Sequence, residues 1–408
     1  MKSLNRWVYA VFGVIALLMA GLVYAWSVMS KPIGAAHTDW TAAQLSLTFT
    51  LVMVFFCLGG LIAGILSKKI PTRIFIIIAG ILFVIGFMVA AMAGDSPVLL
   101  YLGFGIICGL GAGFAYTPVM GTVSAWFPDK QGLISGILLM GFGLSSFIVG
   151  KVYTAYTPSD GTDGWQATFR VMGIIVVIVL VICSIFLVKP DADYKPKTIT
   201  DSSKKKEVRE PASEKTPGEM LRHPSFWCYY IWAIVVSGAG LALVSQGSGI
   251  ATEVGPNVSA GTIATVVGLI SIFNGIGRVI FGAIFDKKGH KFTMILDMIV
   301  FIIAALIIIA SLATGSFTVL TIGFIVGGIA YGGVTPTNSA IISDFFGRNN
   351  YPTNFSLINT NLIIASFAST IAGRLYDSSQ SYFSTMIMMI ILTVVGFVVF
   401  FGVRRPKQ

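Results

Sequence analysis

The chain has 408 residues, 55% of them hydrophobic and only 11% charged, with a mean hydropathy of +0.87. Soluble domains carry charge on about a quarter of their residues, so this composition excludes an ordinary soluble fold and indicates an integral membrane protein. The net charge of +10 would suit a nucleic-acid partner, but the positions of the basic residues give it another meaning.

Twelve apolar runs, each near the roughly 20 residues that cross a bilayer, follow one another at about 7–29, 44–67, 74–94, 98–125, 132–155, 167–188, 225–251, 260–284, 291–313, 316–342, 352–376 and 381–403. Hydrocarbon offers the backbone no hydrogen-bond partner, so every run is predicted to be an α-helix and the fold class all-α. The first run follows Lys2 and Arg6 as a signal peptide would. It is too long for a signal's apolar core and is kept as a span. Spans four, five, eight and ten are dense in glycine, as in "GFGIICGLGAGFAY" and "GFIVGGIAYGG". Missing side chains let helix backbones approach closely, for static packing or for sliding.

Residues 189–224 form the longest break between spans. Rich in Lys, Glu, Asp, Ser and Pro, the break reads as a solvated, flexible cytoplasmic linker. It divides the chain into six-helix bundles at 1–188 and 225–408. Of the 27 Lys and Arg, 22 lie in the N-terminus, in loops that follow even-numbered spans, or in the C-terminus. The positive-inside rule then puts both termini in the cytoplasm, with the chain in the plasma membrane. The basic excess orients the protein and calls for no nucleic acid.

The halves repeat. "GILSKKIPTR", 64–73, and "GAIFDKKGHK", 282–291, match in layout at an offset of 218, and Pro118 and Pro336 share that offset. The aromatic pairs Trp126-Phe127 and Phe345-Phe346 differ by 219. A duplicated six-helix unit implies a two-half transporter with its site between the halves. The four cysteines, Cys57, Cys108, Cys183 and Cys228, fall in or at the edges of spans without metal-ligand spacing, and His37, His223 and His290 sit in loops or at span ends. With no central histidine, acidic pair, HExxH or phosphate loop, nothing calls for an enzyme, a metal or a cofactor.

At these motifs the chain resembles the major facilitator superfamily, and more narrowly its oxalate/formate antiporter family, relatives of the monocarboxylate transporters. The superfamily motif Gly-x-x-x-Asp-Arg/Lys-x-Gly-x-Arg/Lys is intact at Gly282, Asp286, Lys287, Gly289 and Lys291, for which the resemblance implies a gating role. Its first-half copy departs, with Lys68 in place of the acid and Pro71 in place of the glycine. "YAWS" with Pro32 after it, "WFPDKQGLISG" with Tyr116 ten residues before, "EMLRHPSFW" and "DFFGRNN" followed by "NFS" carry the narrower likeness. The resemblance places the family's central cation on Arg278. Where the oxalate exchanger has a span-eleven lysine, this chain has Leu362 or Asn361, and where monocarboxylate transporters have a proton-coupling aspartate it has Asn274.

Arg278 lies eight residues before Asp286, roughly 12 Å along a helix. An arginine at such depth costs about 2.5–3.5 kcal/mol even on the lenient insertion scale, so it is expected to face a cavity and to function. No acidic residue is expected at its depth. A substrate carboxylate can supply the missing charge, bidentate on the guanidinium, and one cation suits a monocarboxylate better than a dicarboxylate. Tyr24, Trp26, Tyr116, Asn274, Asn338, Asn359 and Asn361 are the candidates to complete a substrate pocket. Lys151, Arg170 and Arg374, near span ends, are expected to snorkel. Asp286 is expected to cap or brace its own span at the turn through Gly289.

The function expected is a secondary transporter of a small organic anion such as lactate, pyruvate or formate, coupled to protons or to a counter-transported anion, and monomeric by analogy. The alternatives are an oxalate-type exchanger, a carrier of a neutral solute, or a sensor built on the same fold, for which neither terminus offers a signalling domain.

Overall fold

The computed structural model describes residues 5–40, 42–157, 164–191, 194 and 211–406. All regular elements among them are helices. Eleven are long and apolar enough to cross a membrane, and one of these, Gly261–Thr314, has 54 residues, more than twice what a single crossing needs. Its two arms meet at Gly289, with φ 76° and ψ −177°. Spans eight and nine join there without a loop, so eleven long helices carry the twelve apolar runs.

That dihedral pair is open essentially to glycine alone. Gly289→Ala is therefore expected to lower the melting temperature of the detergent-solubilised protein, by the equivalent of about 1–3 kcal/mol of backbone strain. An unchanged melting temperature would mean that the turn is not held as described.

The outward residues are as apolar as the core. Ile174, Ile178, Ile182 and Ile185 of the Gly164–Phe186 helix are each about half exposed, a face suited to lipid rather than water. Helix ends use ordinary capping: the Ser259 and Ser316 hydroxyls accept from the amides of Thr262 and Val319, satisfying donors that a helix start leaves free.

The chain divides into two compact units. The first comprises Met1–Asp129, Gly141–Val208 and Phe355–Leu357, the second Lys130–Met140, Arg209–Asn354 and Ile358–Gln408. Within the first, Phe87, Phe104, Phe169 and Trp165 form a buried aromatic core, with Phe87–Phe169 and Trp165–Phe169 centroids both 5.2 Å apart. Backbones touch where "GLGAGFAY" supplies Gly113, on which a Cβ would lie 2.8 Å from the Gly59 carbonyl carbon. Arg6 pairs with Asp129 at 2.5 Å, and the Trp126 indole donates to the Val188 carbonyl at 2.8 Å.

Within the second unit, Tyr229 and Trp232 of the Pro224–Val254 helix are fully buried. Here the predicted linker departs from expectation. Lys195 to Arg209 lie outside the described residues, but the stretch that follows is docked rather than solvated. Ala212 and Lys215 donate their amides to the carbonyls of Asp344 and Phe346 at 2.8 and 2.9 Å, and the Glu214 carboxylate accepts from the amides of Arg348 and Asn349. The cause is local: the helix Phe317–Phe346 ends with carbonyls that have no partner within it, and this segment supplies donors for them. Thr216 and Glu219 then form a capping box for the short helix Pro217–Leu221. Bonds from Thr216 hold the Glu219 carboxyl below its ordinary range.

Candidate functional site

Arg278 stands on the first arm of the long helix, held by glycines of a neighbour in the same unit. A Cβ on Gly136 would overlap the Arg278 carbonyl oxygen and lie 3.0 Å from Val279 Cα. One turn earlier, Gly132 packs against Gly282 backbone to backbone. This i, i+4 glycine pair on the helix Gln131–Tyr156 brings a carbonyl within reach, and the Arg278 guanidinium Nη1 donates to the Leu139 carbonyl. Its Nε has no acceptor among the described residues, and no carboxylate there forms an ion pair with it. The guanidinium is thus oriented by a neutral group and keeps its charge and part of its donor fork available.

Asn274, one turn before Arg278, is 7% exposed, and its amide nitrogen has no acceptor among the described residues. Both lie against Gly332 of the helix Phe317–Phe346, where a Cβ would overlap the Asn274 carbonyl and lie 2.8 Å from the Arg278 amide. Asn338, farther along that helix, is fully buried and accepts from the Tyr229 hydroxyl at 2.6 Å. Asn361 is buried with neither side-chain atom partnered among the described residues. Asn359 is buried too. All five belong to the second unit.

The three aromatic candidates belong to the first unit. Tyr24 and Tyr116 share a neighbour, Phe142, at centroid distances of 5.3 and 5.1 Å, and Tyr116 also meets Phe56 and Phe355. Trp26 is buried with its indole N–H committed to the Leu45 carbonyl at 2.9 Å and its ring against Phe104, the arrangement of a packing residue. Of the edge cations, Lys151 places its ammonium 4.4 Å from the Phe147 ring centroid.

Asp286 has partners that its place in the sequence does not reveal. Its carboxylate accepts from the amides of Gly132 and Leu133, both at 2.8 Å, so it caps the start of the helix Gln131–Tyr156. Tight glycine contacts at Gly282 and Gly132 put the carboxylate over free helix-start donors, where the helix dipole also favours an anion. Asp286→Ala should cost about 1–2 kcal/mol, read as a lower melting temperature, with Asp286→Asn intermediate. Equal stability of all three proteins would remove the cap from the account. Gly289 and Lys291 line, with Lys288, His290, Arg404 and Arg405, a basic cavity of about 440 Å³ at this turn.

One correction concerns acids. Asp297, on the second arm of the long helix, is 1% exposed, and neither carboxylate oxygen has a donor among the described residues. It stands eight residues beyond Gly289 and Arg278 eleven before it, about 12 and 16 Å along their arms. An acid thus does lie at a depth comparable to that of Arg278. The available signal was its place six residues inside span nine, after Lys291, which reads as a span edge unless the turn is known to be as tight as Gly289 makes it.

The sequence pattern of the Major Facilitator Superfamily matches residues 11–361 and 250–408. The oxalate:formate antiporter of Oxalobacter formigenes is 28% identical over 354 residues, 85% of this chain and 80% of that protein. Human monocarboxylate transporter 11 is 28% identical over 141 residues, 35% of this chain and 29% of that protein. In three dimensions the chain is similar to the Escherichia coli fucose:proton symporter, with a TM-score of 0.69 at 14% identity, covering 99% of this chain and 100% of that one. That last likeness speaks to fold alone.

Proposed function

This chain belongs to the Major Facilitator Superfamily, and within it we propose a transporter that moves a small organic anion, a monocarboxylate of the lactate, pyruvate or formate type, by alternating access. It is a multi-pass membrane transporter and not an enzyme, as its relatives are. The observation that carries the proposal is the half-buried guanidinium of Arg278, oriented by the Leu139 carbonyl, with its Nε enclosed and without an ion-paired carboxylate among the described residues. A cation kept in a membrane helix at a cost of about 2.5–3.5 kcal/mol needs a compensating partner, and a carboxylate that arrives and leaves is that partner. Asn274, one turn away with an amide nitrogen that has no acceptor among the described residues, offers a further donor to the same ligand. The clustering of Lys and Arg supports both termini in the cytoplasm of a plasma-membrane protein.

A second reading, exchange of oxalate-like anions, is favoured by the 28% identity to an oxalate:formate antiporter. It is disfavoured by the uncharged Leu362 and Asn361 where a second cation would serve a dicarboxylate. Uptake of labelled formate, lactate, pyruvate and oxalate into proteoliposomes, loaded or unloaded with the same acid, tests both. Saturable uptake of a monocarboxylate supports the first reading; oxalate uptake that requires a loaded anion supports the second. Uptake of none of the four would leave neither standing.

A further inference from the structure

Lys68 and Pro71, which break the superfamily motif in the first half, line a cavity of about 950 Å³ within the first unit. Four cations, Lys68, Lys69, Arg73 and Lys189, face it with a single acid, Asp191. All four stand at the ends of apolar helices: Ala42–Leu66 ends before Lys68, Arg73 lies in the first turn of Thr72–Ala90, and Gly164–Phe186 ends before Lys189. Backbone aims two of them. Arg73 Nη2 donates to the Ile185 carbonyl at 2.7 Å and the Lys189 ammonium to the Ser67 carbonyl at 3.4 Å, groups at helix ends that lack a partner within the helix. Among the described residues no carboxylate forms an ion pair with any of the four, so their charge and most of their donors stay available. At the equivalent place in the second half, 218 residues on, Asp286 accepts from the amides of Gly132 and Leu133. A lysine cannot cap a helix start in that way, so the first-half copy has exchanged a cap for a cation.

Topology alone asks for basic residues somewhere in such a loop. It does not ask that the loop after span two and the end of span six, 112 and 122 residues apart at the two hydrogen bonds, bring their cations to one cavity. The rest of the wall is apolar and aromatic. Ile185 and Phe186 line it, with Tyr9 and Trp126, whose rings stack at 4.2 Å, and aromatic rings of these two types suit the headgroup level of a membrane. On the helices Thr72–Ala90 and Gly164–Phe186, Ile74, Ile77, Ile182 and Ile185 are exposed, an apolar face that continues from the cations along the spans. A soluble anion has no use for that face; a phospholipid does. We propose that this cavity binds the phosphodiester headgroup of an anionic phospholipid, in the leaflet that the basic loops face. The phosphate sits among the Lys and Arg donors, as in other basic pockets at a membrane's cytoplasmic side, and the acyl chains run along the isoleucines. Held there, the lipid bridges the loop after span two to the end of span six. The site is independent of what Arg278 binds.

The test is native mass spectrometry of the detergent-solubilised protein, titrated with phosphatidylglycerol or with phosphatidylcholine of the same acyl chains. Melting curves with each lipid and with inorganic phosphate run beside it. The wild type is expected to hold phosphatidylglycerol on the order of tenfold more tightly than phosphatidylcholine, since each cation near an anionic headgroup contributes roughly fivefold. Lys68→Gln/Lys69→Gln should lower phosphatidylglycerol affinity on the order of tenfold and leave phosphatidylcholine unchanged. Lys215→Gln/Arg222→Gln, which removes the same charge from the second unit, should change neither. Equal binding of the two lipids by the wild type overturns the proposal. So does phosphatidylglycerol binding that the two double variants weaken equally, or that Lys68→Gln/Lys69→Gln leaves intact. Inorganic phosphate that displaces phosphatidylglycerol and raises the melting temperature as far would assign the cavity to a soluble anion and overturn the lipid. Should Lys68→Gln/Lys69→Gln not fold, the wild type decides the matter: its preference for phosphatidylglycerol must weaken as salt rises, and a preference indifferent to salt overturns the proposal.

Discussion

Gly136→Ala is expected to cut transport by about tenfold or more and to lower stability, although it adds one methyl group. At Gly136 the added carbon would overlap the carbonyl oxygen of Arg278 and sit 2.8 Å from the carbonyl carbon. These are backbone atoms, which cannot rotate away as a side chain would. The helices must separate, at a typical overpacking cost of about 1–3 kcal/mol, and the separation falls where Leu139 orients the guanidinium. A small displacement of a positioned group commonly costs on the order of 100-fold in rate. Gly268→Ala is the matched control. It lies on the same helix as Arg278 with nothing within 4 Å of the added carbon, and alanine there should stabilise by up to about 1 kcal/mol. Equal behaviour of the two variants in transport and melting would contradict the packing described at Arg278.

What was legible in the sequence follows from what local pattern encodes. The spans were readable because lipid demands long apolar helices, and Arg278 because a cation in such a run stands out. Gly289 was readable as a turn from the motif around it. The partners of these residues were not. Asp286 reads locally as the end of its own helix, and only packing reveals that it covers the amides of Gly132 and Leu133, more than 150 residues away. Asp297 does not stand out in the sequence, because its depth depends on how tightly the preceding turn is made. The charged stretch before span seven has the composition of a solvated segment, yet Ala212 to Lys215 find carbonyls left open at the end of another helix. In each case the missing information is a contact distant in sequence, and composition carries none of it.

Arg278→Gln should reduce transport of the organic anion about 100-fold or to background. Glutamine keeps a donor and much of the length but removes the charge, and hydrogen bonds to charged groups are worth about 1.5–3 kcal/mol each. Arg278→Lys restores the charge without the planar fork and should recover only part of the activity. Both variants should fold, because neither touches the glycine contacts that hold the helices, and comparable melting temperatures would confirm that. The most direct measurement is counterflow of the labelled acid that the wild type carries, in proteoliposomes of wild type, Arg278→Gln and Arg278→Lys with equal protein and equal pH across the membrane. Saturable exchange in the wild type, background in Arg278→Gln and an intermediate rate in Arg278→Lys is the result predicted. Arg278→Gln exchanging the acid at the wild-type rate and half-saturation would contradict the assignment of Arg278 as the substrate's counter-charge.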